Sequence, residues 1–134
     1  MNFGALFPYS ATTRGVTVRV AVNFMPEQSE VARGRWFWAY HIRIENEGPV
    51  AVQLITRHWE ITDGNGVLHL VDGEGVVGDQ PVISPGNSYD YVSGCPLNTP
   101  TGSMEGCFQM VSADGMHFDA HVPTFALTAP VVRQ

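Results

Sequence analysis

The sequence predicts an all-β fold, an antiparallel β-sandwich of seven to eight short strands. Three observations carry this reading. Apolar residues recur with period two along most of the chain. Clusters of Asn, Asp, Gly and Pro interrupt these runs at intervals of about 8 to 12 residues, the spacing of a sandwich rather than of βαβ units. No segment of about ten or more residues shows the ~3.6-residue apolar spacing of a helix. With 134 residues the chain has the length of one domain. A chain of that size buries about 68% of the surface its unfolded form exposes, enough for a core without staples.

The elements follow in order. Val16, Val18, Val20, Val22 and Phe24 alternate with Thr17, Arg19, Ala21 and Asn23, which reads as a half-buried antiparallel strand. Trp36, Trp38, Tyr40, Ile42 and Ile44 form the apolar side of a second run, and Asn46-Glu47-Gly48-Pro49 turns the chain. Residues 51–62 make a third strand with Leu54, Ile55, Trp59 and Ile61, whose broken parity predicts a bulge. Asp63-Gly64-Asn65-Gly66 is a hairpin signal, with residues 67–71 returning. Short extended pieces are expected at 81–83 and 88–92, then a loop of about eight residues from Cys95 to Gly102. A strand over 104–112 turns at Asp114-Gly115. Phe118, Ala120 and Val122 then face inward on a last strand toward Leu127. The domain is placed at residues 16–127. Residues 1–15 and 128–134 lack periodicity and read as tails.

Residues 73–78, Gly-Glu-Gly-Val-Val-Gly, match the GxGxxG string of dinucleotide-binding sites. In a Rossmann fold that string opens a helix whose N-terminus holds the pyrophosphate. Here Asp79-Gln80-Pro81-Val82-Ile83-Ser84-Pro85-Gly86 follows, and its prolines and Pro-Gly turn forbid a long helix. Two readings of Gly73, Glu74, Gly75, Val76, Val77 and Gly78 remain. The glycines supply special backbone conformations where the chain crosses between sheets, or their amides form a nest for phosphate, pyrophosphate or a nucleotide. The flanking Asp72, Glu74 and Asp79 oppose an anion.

The net charge of −6 argues against nucleic-acid binding. No run approaches ~18 apolar residues, so no membrane span is expected. The first residues lack a basic region and a long apolar run, so no signal peptide is expected, and a cytoplasmic location is the reading. Cys95 and Cys107 form no CxxC pair. No nucleophile elbow is present, and the sequence predicts a non-enzyme without a cofactor.

His117, Asp119 and His121 fall on one face of a strand, at i, i+2 and i+4. Imidazoles and a carboxylate suit cobalt, nickel or zinc, but alternate strand residues lie about 6.6–6.8 Å apart, so the set is either a metal site or a solvated face. Arg57-His58-Trp59 places a core tryptophan beside two groups that could meet a partner or an anion. Phe37, on the polar parity of its strand, would suggest a partner or homodimer face if a second apolar patch lay beside it.

Several of these motifs occur together. They are Gln53-Leu54, Arg57-His58-Trp59, Ile61-Thr62-Asp63, the segment from Gly73 to Pro81, and Ser84-Pro85-Gly86. Tyr91 with Ser93-Gly94, Thr99-Pro100, Gly102-Ser103-Met104, Gln109-Met110 and Phe118 continue the series. In order and spacing, over about residues 14–127, this chain resembles the ApaG (CorD) family. The resemblance implies a fibronectin type III-like, immunoglobulin-like sandwich and a link to cobalt tolerance and magnesium efflux in bacteria. Related domains in eukaryotic F-box proteins and in a polymerase-delta-interacting protein imply a protein-interaction module. The expected function is therefore non-catalytic binding of an unidentified protein partner, by a monomer or homodimer. The expected surface is the glycine segment with neighbouring loops around residues 93–101, since sandwiches carry recognition on end loops. The alternative is a phosphate, pyrophosphate or nucleotide binder.

Overall fold

The computed structural model describes residues 6–130. Over these residues the alternating runs become strands β1 (Tyr9–Thr13), β2 (Val16–Phe24), β3 (Trp36–Asn46), β4 (Val52–Asp63), β5 (Leu68–Glu74), β6 (Val82–Ile83), β7 (Ser88–Leu97), β8 (Thr101–Ser112) and β9 (His117–Thr128). Two single 3-10 turns, Pro26–Gln28 and Val31–Arg33, link β2 to β3. One sheet runs β1-β2-β3-β7 and the other β5-β4-β8-β9, with β6 paired to the start of β4. With β1 and β6 set aside, three strands face four, and the fold is the fibronectin type III-like antiparallel sandwich expected.

The core lies where the alternation puts it. Val16, Val18, Val20, Trp38, Ile42 and Ile44 from one sheet meet Leu54, Trp59, Phe108, Val122 and Leu127 from the other. Trp59 sits at the centre, edge-on to Tyr40, Phe108 and Phe125 with ring centroids 5.5, 6.1 and 6.0 Å away. Each such pair is worth about 0.5–1.5 kcal/mol beyond burial.

Two bulges make this packing possible. Between Leu54 and Thr56 the β4–β8 register shifts, with Ile55 as the extra residue. Val52 and Leu54 face inward before it, and Arg57, Trp59 and Ile61 share the inward parity after it. Between Met104 and Gly106 the β8–β9 register shifts again, so that Ala120 and Val122 are buried on one side of Pro123, Phe125 and Leu127 on the other. Proline is tolerated there because the ladder is already interrupted.

Three boundaries differ from the sequence reading. Residues 1–15 read as a tail, yet Tyr9–Thr13 pair along β2 as an edge strand, and Phe7 is buried with its ring 4.8 Å from that of His41. The segment Tyr-Ser-Ala-Thr-Thr shows no apolar alternation in sequence, since of its half-buried residues Tyr9, Ala11 and Thr13 only Tyr9 packs a large side chain on the core. Residues 1–5 lie outside the described residues. The loop expected from Cys95 to Gly102 shrinks to residues 98–100, because β7 runs on through Cys95 and Pro96 on the edge of its sheet. Finally, β9 reaches Thr128, and Ala129 is buried with its N–H donating to the Pro100 carbonyl at 2.9 Å. The rest of the predicted C-terminal tail, residues 131–134, falls outside the described residues.

Candidate functional site

The glycine string splits between two elements. Gly73 and Glu74 end β5, paired with Arg57 and Thr56, so they belong to a strand rather than a loop. Gly75 then bends the chain at φ +62°, and Val76 to Asp79 close a tight turn with Val77 and Gly78 both at positive φ. Val77 in that region is unusual for a β-branched residue, and the paired N–H···O bonds between Val76 and Asp79, at 2.8 and 2.9 Å, hold it there. The Gly75 N–H donates to the Ile55 carbonyl at 2.8 Å, tying the turn to the bulge in β4. The amides of Gly75, Val76 and Asp79 are therefore spent on carbonyls and form no row of donors for a phosphate. Val76 is 1% exposed and belongs to the core, whereas Val77 is 64% exposed at the tip.

The loops expected to neighbour this turn do not. Asp79 accepts a hydrogen bond from Tyr89, near the start of β7, at 2.9 Å. Residues 98–100 follow the other end of β7, where Thr99 accepts from the Gly64 N–H at 2.8 Å. The length of β7 separates the two, because residues 93–97 are strand.

The sequence reading passed over the edge of β5. β5 ends its sheet, so its outer backbone groups face no neighbouring strand among the described residues. Leu68 and Leu70, at 53% and 60% exposure, stand on the outer face, and Val71 is also exposed on the inner one. Around the leucines lie Glu60, opposite Leu70, together with Asp72 and Glu74. His58 Nδ1 sits 2.7 Å from Asp72 and its Nε2 3.3 Å from Glu60. The hydrogen bond from Asp72 pushes the imidazole pKa up, slight burial opposes this, and Glu60 adds to the rise. A sequence signal was present: Val67-Leu68-His69-Leu70-Val71 carries apolar residues on both parities, more than one buried face can use.

Behind β5 a cleft of about 660 Å³ opens between the edges of the two sheets. β4 and β5 supply Arg57, Trp59, Ile61, His69 and Val71 to one wall, and β7 supplies Ser93 to Leu97 to the other. Arg57 reaches this cleft, not the surface, because the bulge at Ile55 turns it inward. Its neighbour His58 points the opposite way, so the Arg57-His58 pair is not one patch.

His117, Asp119 and His121 are all exposed on the outer face of β9, as the alternation predicts. Among the described residues no three His, Cys, Asp or Glu side chains form a group that could hold a metal ion, so the three share a face without converging. Their spacing along an extended strand explains this. Cys95 is buried and burial raises its thiol pKa to about 11; Cys107 is raised as well, by burial and then by Asp119, Glu60 and Asp72. Neither thiol is poised as a thiolate nucleophile. Phe37 is half-buried, with its ring over Gly94 of the neighbouring strand where a Cβ would lie 2.2 Å from it. Among the described residues no helix is long and apolar enough to cross a membrane.

The described residues form a small three-on-four antiparallel β-sandwich domain with an exposed apolar edge at β5. Residues 26–112 match the family model described as the ApaG domain. The chain is 54% identical over 122 residues to a protein named Protein ApaG from Bradyrhizobium sp. (strain ORS 278), covering 91% of this chain and 94% of that one. Protein ApaG from Methylobacterium sp. (strain 4-46) is 51% identical over 126 residues, covering 94% and 97%. The crystal structure of the putative ApaA protein from Bordetella pertussis superposes with a TM-score of 0.84 at 42% identity, covering 87% of this chain and 95% of that one. The chain belongs to the ApaG domain family.

Proposed function

We propose that this protein is a non-catalytic interaction module that receives an extended segment of a partner protein along the edge of β5. The observation that carries the reading is the exposed strand β5, whose outer edge meets no strand among the described residues, with Leu68 and Leu70 on its outer face. A strand added there gains main-chain hydrogen bonds for affinity and alternate side-chain contacts for specificity. The carboxylates of Glu60, Asp72 and Glu74 beside the leucines select a segment that alternates apolar with basic residues. The raised pKa of both thiols supports a non-enzymatic role. The family resemblance connects such a module, acting in the cytoplasm, with divalent-cation homeostasis. In this reading that role runs through the bound partner.

The test is an NMR titration with a peptide of alternating valine and arginine. The amides of residues 68–74 should shift and become protected from exchange, and Leu70→Asp should abolish both effects. Val82→Asp, an equally exposed valine on β6, should leave them unchanged. Shifts centred elsewhere would overturn the reading. A concentration-dependent dimer that Leu70→Asp dissociates would assign the edge to a second copy of the chain instead.

A further inference from the structure

Arg57 is half-buried, and its Nη1 donates to the carbonyls of Glu74 at 3.0 Å and Gly75 at 2.9 Å. Carbonyls orient a guanidinium without neutralising it. Arg19, Arg33 and Arg43 each lie within ion-pair distance of a carboxylate, but among the described residues none pairs with Arg57. A partly desolvated cation without a counter-charge is costly, and an anion brought to it recovers that cost. The guanidinium opens onto the cleft between β5 and β7, whose volume of about 660 Å³ falls in the roughly 300–1,000 Å³ range of small-molecule sites. Trp59, Ile61, Leu97 and Met104 give the cleft an apolar lining, and Tyr40 and Ser93 supply hydroxyls. Tyr91, near enough for the charge of Arg57 to act on it, has a buried hydroxyl without a hydrogen-bond partner. This combination of apolar walls, a few polar groups and a guanidinium held by backbone carbonyls is what ligand sites share.

We propose that the cleft binds a small organic monocarboxylate, its carboxylate on Arg57 and its apolar body against Trp59 and Met104. The guanidinium fork matches a planar carboxylate. A single negative charge on an apolar body is favoured over a phosphate dianion because Trp59, Ile61 and Met104 line the cleft and the chain carries a net charge of −6. The site uses the inward face of β5, so it stands independently of strand capture at the edge.

The experiment titrates the full isotope-labelled chain with phenylacetate, with phenylacetamide as the neutral control and inorganic phosphate as an anion without an apolar body. Phenylacetate should produce saturable shifts at the Trp59 indole and at the backbone of Arg57, Ser93 and Gly94, with little response to the other two. Arg57→Gln should weaken binding at least about tenfold, the worth of a charge-assisted hydrogen bond. Val71→Trp fills the cleft from an exposed strand while leaving Arg57 in place, and should block binding even if Arg57→Gln does not fold. The proposal fails if phenylacetate gives no saturable shift, if the amide or phosphate does equally well, or if Val71→Trp binds undiminished. None of these results bears on the edge amides read in the peptide titration.

Discussion

Arg57 and Gly73 face each other across the β4–β5 ladder, and the guanidinium occupies the space a side chain at Gly73 would need. A Cβ built on Gly73 would lie 2.6 Å from Nη2 of Arg57. The missing side chain of the first glycine in the GxGxxG string thus makes room for an arginine. The backbone at Gly73 is ordinary and the obstructing atoms are the end of a flexible side chain, so Gly73→Ala should fold. The guanidinium should swing away and exchange its bonds to the Glu74 and Gly75 carbonyls for water. The expected cost is about 1 kcal/mol, read as a lowered urea midpoint. Arg57 side-chain N–H signals should lose their protection, and phenylacetate binding should weaken with them.

The second and third glycines separate by a different test. Gly75 has φ +62° and its Cβ would meet the Asp79 carbonyl oxygen at 2.2 Å, whereas Gly78 has φ +84° with nothing near. Gly78→Ala should cost only the left-handed conformation, about 1–2 kcal/mol. Gly75→Ala adds a backbone clash that opens the Val76–Asp79 turn and breaks the bond to Ile55, each lost hydrogen bond being worth about another 1 kcal/mol. Thermal unfolding should rank Gly75→Ala clearly below Gly78→Ala. Equal losses would mean that the turn does not depend on the close approach of Gly75 to Asp79.

These positions also show what could be read from the chain and what could not. Alternation placed β2, β3 and β9 because each has one face in a single core. The imperfect parity at Leu54 and Ile55 announced the bulge, and turn residues announced the hairpin after Asp63. Parity already set Arg57 with Trp59 and against His58; what was hidden is the cleft that the inward-facing Arg57 meets. β1 was missed because an edge strand needs no apolar pattern, and β7 was cut short because proline and glycine read as loop although an edge tolerates them. The cleft has no linear signature at all, since Arg57, Ser93 and Met104 meet only when the sheets stack.

Asn46 ends β3 fully buried at 1% exposure and acts as a clamp. Its Nδ2 donates to the carbonyls of Val50 and Ile83, both at 2.9 Å, and its Oδ1 accepts from the Gly48 N–H at 2.9 Å. It thereby ties the turn before β4 to β6. Asn46→Ala leaves these groups to find water in a partly closed site and should cost about 2–3 kcal/mol. Asn46→Asp should do no better, because it retains the acceptor but loses both donations and buries a charge. Urea denaturation of the two variants checks this, and an Asp variant as stable as the native protein would sink the clamp.

His58 makes the acidic face around β5 sensitive to pH. The Asp72 hydrogen bond raises the imidazole pKa above its ordinary value of about 6.5, burial works slightly against it, and Glu60 reinforces it. Cys107 is the residue opposite on β8. Because the folded-state pKa is raised, the folded chain holds this proton more tightly than the unfolded one. The resulting stability is fully present below about pH 6.5 and disappears as the pH rises through the folded value. Both Asp72 and Glu60 are well exposed, so solvent screening limits the effect to about 0.2–1 kcal/mol. The stability difference between the native protein and Asp72→Asn should be greatest below about pH 6.5 and should shrink as the pH rises through the raised folded-state value. The same titration acts on recognition with the opposite sign. A protonated His58 offsets Asp72 and Glu60, so a basic strand should bind β5 more tightly as His58 loses its proton. Peptide affinity that falls over this interval, or that is unchanged by Asp72→Asn, would contradict the charge selection assigned to that face.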